Sequence, residues 1–194
     1  MKAANWVVAL LLLLTSASLA QADVITFEDR SDGEGVTNQY LGVIFSNATA
    51  IRSGISLNEI SFPPHSGTAV VFDDGGSMSL TFLNPVSGFG AHFTYTTQLT
   101  LVAFDSSNNP IATMLSAFSN NTADGGDPGS NPNEFLLFSM SGISRVTITG
   151  LPTGSSFVMD DPTFTTAVPE PATLVLMALG LPAIARWRKR KNCR

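Results

Sequence analysis

The middle of this 194-residue sequence predicts an all-β fold, a two-sheet antiparallel β-sandwich. Two observations lead there. Between Asp23 and Thr166 no stretch of useful length repeats its apolar residues at helical spacing, and about ten short runs alternate apolar and polar residues with period two. Those runs are bounded by Gly, Asn, Pro and Ser, the residues that make tight turns. Ten or so short strands with frequent turns and no internal repeat point to a sandwich rather than a propeller or solenoid.

The expected strands are Val24–Glu28, Gly42–Ser46, Thr68–Phe72, Ser77–Leu83, Gly88–Tyr95, Leu99–Phe104, Ile111–Ala117, Phe135–Met140, Ser144–Thr149 and Phe157–Thr165. The turn at Asp105–Pro110 makes its two flanking strands a hairpin. Asn120–Asn133 is a long polar loop. Phe27, Phe45, Phe82, Phe89, Phe93, Phe104, Phe138, Phe157 and Phe164 fall at alternating positions and are assigned to the core. The only tyrosines are Tyr40 and Tyr95, and Trp6 and Trp187 lie in the end segments, so aromatic platforms for stacking sugars are few.

The two ends differ from this middle. Met1-Lys2, the apolar run Trp6–Leu14 and the Ala20-Gln21-Ala22 triplet form a secretory signal peptide over 1–22, with cleavage after Ala20 as the near alternative. At the other end, Val168-Pro169-Glu170-Pro171 precedes an apolar run from Ala172 to Ala185. The basic cluster Arg186, Arg188, Lys189, Arg190 and Lys191 follows. At about 1.5 Å per residue the run covers only about 21 Å of a hydrocarbon core about 30 Å thick, a marginal single transmembrane helix. The cations stay cytoplasmic and leave the middle of the chain outside. The domain layout is therefore 1–22 leader, 23–166 ectodomain and 167–194 tail.

Charge is segregated in the same way. The ectodomain holds 14 of the 15 acidic residues but only Arg30, Arg52 and Arg145 among the 10 basic ones, a balance of −11. So anionic a surface repels phosphate backbones, which argues against nucleic acid as a partner. The single cysteine, Cys193, leaves the ectodomain without a disulfide or a catalytic thiol.

Chemistry-bearing motifs are sparse. His65 and His92 form no metal-ligand spacing, and no G-x-S-x-G elbow is present. Asp73-Asp74-Gly75-Gly76 and Asp124-Gly125-Gly126-Asp127 have the composition of ordinary turns. Phe27-Glu28-Asp29 closes the first strand, and Met159-Asp160-Asp161-Pro162 lies in the last.

Two resemblances follow from these residues. Val168, Pro169, Glu170 and Pro171, the apolar run and the terminal basic cluster together resemble the PEP-CTERM sorting signal of bacteria. That implies handling by signal peptidase and an exosortase, a membrane-held precursor, and delivery to the cell surface or extracellular matrix. The Phe-Glu-Asp start and late Asp-Asp pair resemble jelly-roll modules of the MAM and carbohydrate-binding type. This implies Glu28, Asp29, Asp160 and Asp161 as ligands of a structural calcium ion; the alternative is that these carboxylates simply cap turns. Three functions stay open: a non-catalytic surface protein that binds a cation and extracellular polysaccharide, a secreted polysaccharide hydrolase, or a purely structural adhesive protein.

Overall fold

A computed structural model describes residues 22–166, and the leader and the PEP-CTERM-like tail lie outside the described residues. Ten strands, all paired antiparallel, make up the fold: β1 (Ala22–Val24), β2 (Val43–Ser46), β3 (Ala48–Arg52), β4 (Ala69–Asp73), β5 (Met78–Tyr95), β6 (Thr100–Phe104), β7 (Pro110–Leu115), β8 (Glu134–Phe138), β9 (Ile143–Thr149) and β10 (Phe157–Thr166). Among the described residues no helix is long and apolar enough to cross a membrane.

The organising element is β5, 18 residues long. Its first part, Met78–Phe82, pairs with β2 on one side and β9 on the other. Its second part, Val86–Tyr95, pairs with β8 and β10. Between them lies Pro85, which has no N–H for a ladder bond, and the β5–β9 register shifts between Thr81 and Val86. The strand thus leaves one sheet and enters another, a manoeuvre that bends and bulges permit. The first sheet runs β2-β5-β9-β6-β7 and the second β8-β5-β10-β4-β3, with β1 beside the end of β10. The expected strands Ser77–Leu83 and Gly88–Tyr95 are thus parts of one, with only a register shift between them.

One continuous core unites the inner faces. Phe45, Leu80, Leu101 and Ile148 from the first sheet meet Phe89, Phe93, Phe157 and Met159 from the second. Eight of the nine phenylalanines assigned to the core are buried. Phe104 is half-buried at the end of β6, its ring face 4.1 Å from the Arg145 guanidinium carbon. Tyr95 is fully buried, and Tyr40 packs edge-on against Phe27 and Phe45.

Candidate functional site

The outer face of the second sheet carries the features that set this surface apart. On β5 the residues facing outward are Gly88, Gly90, His92 and Thr94, because Phe89, Ala91, Phe93 and Tyr95 face the core. Antiparallel register sets Asp160, His92 and Phe135 in one row across β10, β5 and β8. Thr163, Gly90 and Leu137 form the next row. Toward β3, the face is covered by the segment after Arg52. Leu57 and Phe62 pack there on Ile51, Val70, Phe72 and Val158, leaving an apolar groove of about 320 Å³.

Toward β8 the face is open. A second groove, of about 170 Å³, lies over Gly88 and Gly90 between Phe135, Leu137, Thr163 and Thr165. Phe135 and Leu137 are 49% and 47% exposed although they sit in a sheet. A Cβ on Gly90 would stand 2.6 Å from Phe135 Cζ and 3.2 Å from Leu137 Cδ1. Glycine at 90 therefore lets the Phe135 ring lie down on the sheet and present its other face to solvent. The sequence hints at this feature: Phe135-Leu136-Leu137-Phe138 is apolar on both faces, so half of it cannot enter a one-sided core. Phe135 is not among the nine phenylalanines assigned to the core, and the strand pattern alone assigns it no role.

The four carboxylates singled out in the sequence are partly brought together. Glu28 accepts hydrogen bonds from the backbone N–H of Thr68 and Ala69, each at 2.7 Å, and pairs with Arg52 at 3.1 Å. Asp160 Oδ2 accepts from the N–H of His65 at 2.8 Å and of Ser66 at 2.9 Å. Asp161 takes His65 Nδ1 at 2.7 Å and the Ser66 hydroxyl at 2.8 Å. Three of the four thus grip one segment, 65–69, from its two sides. Asp29 lies apart from this segment, held by Tyr40 at 2.6 Å and Arg30 at 2.6 Å. Among the described residues no three acidic, histidine or cysteine side chains stand close enough to share a metal ion. Of the two Asp-Gly motifs expected as turns, Asp124-Gly125 lies in one, whereas Asp73 belongs to β4 and only Gly75 and Gly76, both at positive φ, form the bend after it.

His65 and His92, far apart in sequence, are stacked face to face at 3.4 Å and 8°. His92 also lies 4.9 Å from the Phe135 ring. The result is a short file of rings, Phe135, His92 and His65, ending at the Asp160–Asp161 pair.

Burial and the neighbouring Asp161 charge push the Asp160 carboxyl up to about 6, against the backbone N–H groups of Ser66, Asp161 and His65 that favour its ionised form. A raised acid holds its proton more tightly folded than unfolded, so its contribution to stability grows as pH falls from 7 toward 4 and is lost as pH rises through 6. A rise of this size is worth about 2 kcal/mol between the two ends of that range. Urea midpoints measured from pH 7 to pH 4 are expected to fall less steeply on the acid side than in Asp160→Asn, with His65 and Asp161 common to both proteins. Parallel profiles would contradict this.

The PEP-CTERM protein-sorting motif model matches residues 167–191, and it marks the chain as an exported protein sorted to the cell surface, handled by an exosortase. No curated protein matches the chain. Solved structures similar to it include the K2 cleaved adhesin domain of Lys-gingipain, at 13% identity and a TM-score of 0.47, covering 75% of this chain and 98% of that one. A DUF4465 family protein from Bacteroides caccae has 14% identity and a TM-score of 0.47, with 74% and 98% covered. A family 29 carbohydrate-binding module has 12% identity and a TM-score of 0.39, with 81% and 99% covered. At identities and scores this low, nothing of their binding is carried onto this chain.

Proposed function

We propose that the sandwich is a non-catalytic module that binds extracellular polysaccharide in the open groove of its second sheet. In this proposal the precursor is held in the membrane by its tail until sorting. The observation that carries the binding site is the Phe135 ring, laid over Gly90 with one face free and flanked by the Thr163 and Thr165 side chains. A pyranose has one apolar face and an equatorial rim of hydroxyls, and this arrangement offers a flat apolar partner beside hydrogen-bonding groups.

The groove's shape favours a polymer. Its volume of about 170 Å³ falls below the range of about 300–1,000 Å³ usual for enclosed small-molecule sites. A chain lying across the sheet needs no enclosure. Among the described residues neither groove on this face is lined by a carboxylate, whereas glycoside hydrolysis needs two facing ones in most families. That supports binding over hydrolysis.

Phe135→Ala tests the assignment. Covering the exposed half of a Phe ring is worth about 1–1.5 kcal/mol, or about tenfold in affinity. Affinity electrophoresis in gels containing glucan, mannan, galactan or xylan is expected to show retardation of the parent protein and roughly tenfold weaker retention of the variant. The urea midpoint should move little, since the ring is half outside the core. Equal retention of both proteins would remove the groove as the site.

A further inference from the structure

We infer that the groove accepts uncharged glycan chains and turns away polymers that carry uronate or sulfate groups. This rests on the groove being the glycan site.

The chemistry of the lining comes first. Phe135, Leu137, Gly88 and Gly90 supply apolar surface and backbone, and Ser87, Thr163 and Thr165 supply hydroxyls. Among the described residues no lysine or arginine lines the groove. A carboxylate or sulfate leaving water needs charge-assisted donors, typically an arginine fork or a lysine, to replace its hydration. Hydroxyls serve a sugar's own hydroxyls well and an anion poorly.

No arginine of the described residues stands ready to move in. The ectodomain has three arginines, and each is engaged elsewhere. Arg30 is held between Asp29 at 2.6 Å and Glu34 at 2.8 Å. Arg52 spans the Glu28 carboxylate, the carbonyls of Glu28 and Arg30, and the Thr68 hydroxyl. Arg145 lies on β9 in the first sheet, over the ring of Phe104 and bonded to Asn108. The ectodomain contains no lysine at all.

The surrounding field has the sign that repels anions. The ionisable groups in the adjoining row are His92, 4.9 Å from the Phe135 ring and bonded to the Asn133 carbonyl, and Asp160 with its neighbour Asp161, whose carbonyl accepts from the Thr163 hydroxyl at 3.1 Å. Fourteen acidic residues against three arginines place the groove in a negative potential. At about 0.01 M salt, where screening extends to about 30 Å, the whole ectodomain contributes; near 0.15 M only charges within about 8 Å do.

The test uses matched polymers and the full chain, purified in a polyoxyethylene detergent that carries no sugar. Galactan is paired with polygalacturonate and mannan with polymannuronate, each titrated calorimetrically at low and near-physiological salt. The expected result is that the neutral member binds with an affinity that changes less than about twofold with salt. The uronate member should bind at least tenfold more weakly at low salt, and the gap should narrow as salt rises. Thr165→Arg, which sets a cation at the groove's edge, should bring the uronate polymer into binding and make that binding salt-sensitive. Uronate binding as tight as neutral binding, and lost in Phe135→Ala, would overturn the charge selectivity while leaving the groove as the site. Binding of either polymer untouched by Phe135→Ala and by Thr165→Arg would instead remove the site itself, and the selectivity with it.

Discussion

Asp73→Ala is expected to cost at least about 3 kcal/mol of folding free energy, because it leaves three buried hydrogen-bond donors without an acceptor. Asp73 ends β4, is fully buried, and accepts three hydrogen bonds from the start of β10. Its Oδ1 takes the N–H of Ser156 at 2.7 Å and of Phe157 at 3.0 Å, and its Oδ2 takes the Ser156 hydroxyl at 2.8 Å. Alanine would strand these donors inside the protein, at about 1–3 kcal/mol for each group left without a partner. Burial pushes the Asp73 carboxyl above its ordinary value, so negative charge as such contributes little to the junction. Asp73→Asn, which keeps an acceptor, should therefore lose only about 1–2 kcal/mol. Urea unfolding of the two variants separates hydrogen bonding from charge: equal losses would mean that the charge is what matters.

Gly154→Ala should be comparably damaging, by at least about 3 kcal/mol, and for a different reason. Gly154 has φ of +78°, and an added Cβ would stand 2.6 Å from the Asp73 carbonyl oxygen and 2.6 Å from the Gly75 nitrogen. Both obstacles are backbone, so no side chain can swing aside. Gly33, at φ +76° with open space around it, is the control, because Gly33→Ala bears only the left-handed strain of about 1–2 kcal/mol. Similar midpoints for the two alanine variants would show that the crowding at Gly154 is relieved by movement. Asp73 and Gly154 meet at the same junction, where Ser155 also donates to the Asp73 carbonyl at 2.6 Å, so the two losses should not add.

Much of the fold was legible because period-two patterning survives in most strands. The hairpin of β6 and β7 formed at Asp105–Pro110, and no strand interrupts the polar loop 120–133. What the pattern missed has physical causes. Val24–Glu28 is a strand only to Val24: Phe27 takes φ of +58°, which bends the chain away from β10. β3, Ala48–Arg52, was not expected at all; its small residues and its place at the sheet's edge weaken the apolar signal. Ser77–Leu83 and Gly88–Tyr95 are expected as two strands where the chain makes one, β5.

The candidate site was less legible. Glu28, Asp160 and Asp161 do share a region, but what they grip is backbone N–H, which no composition rule displays. The stacking of His65 on His92 depends on a loop folding back over the sheet. Phe135 was obscured by its own chemistry, since a phenylalanine in an apolar strand gives the same signal inside or outside.

β5 also decides how the ectodomain comes apart. A sandwich whose sheets are joined only by loops can lose one sheet while the other survives. Here a single backbone belongs to both, with β2 and β9 on one length and β8 and β10 on the other. Peeling either sheet pulls on an interior strand of its neighbour, so the smallest opening that frees the core is close to complete unfolding. For a protein displayed outside the cell without a disulfide in its ectodomain, that makes resistance to proteases a matter of one global equilibrium, with no weaker half to attack first.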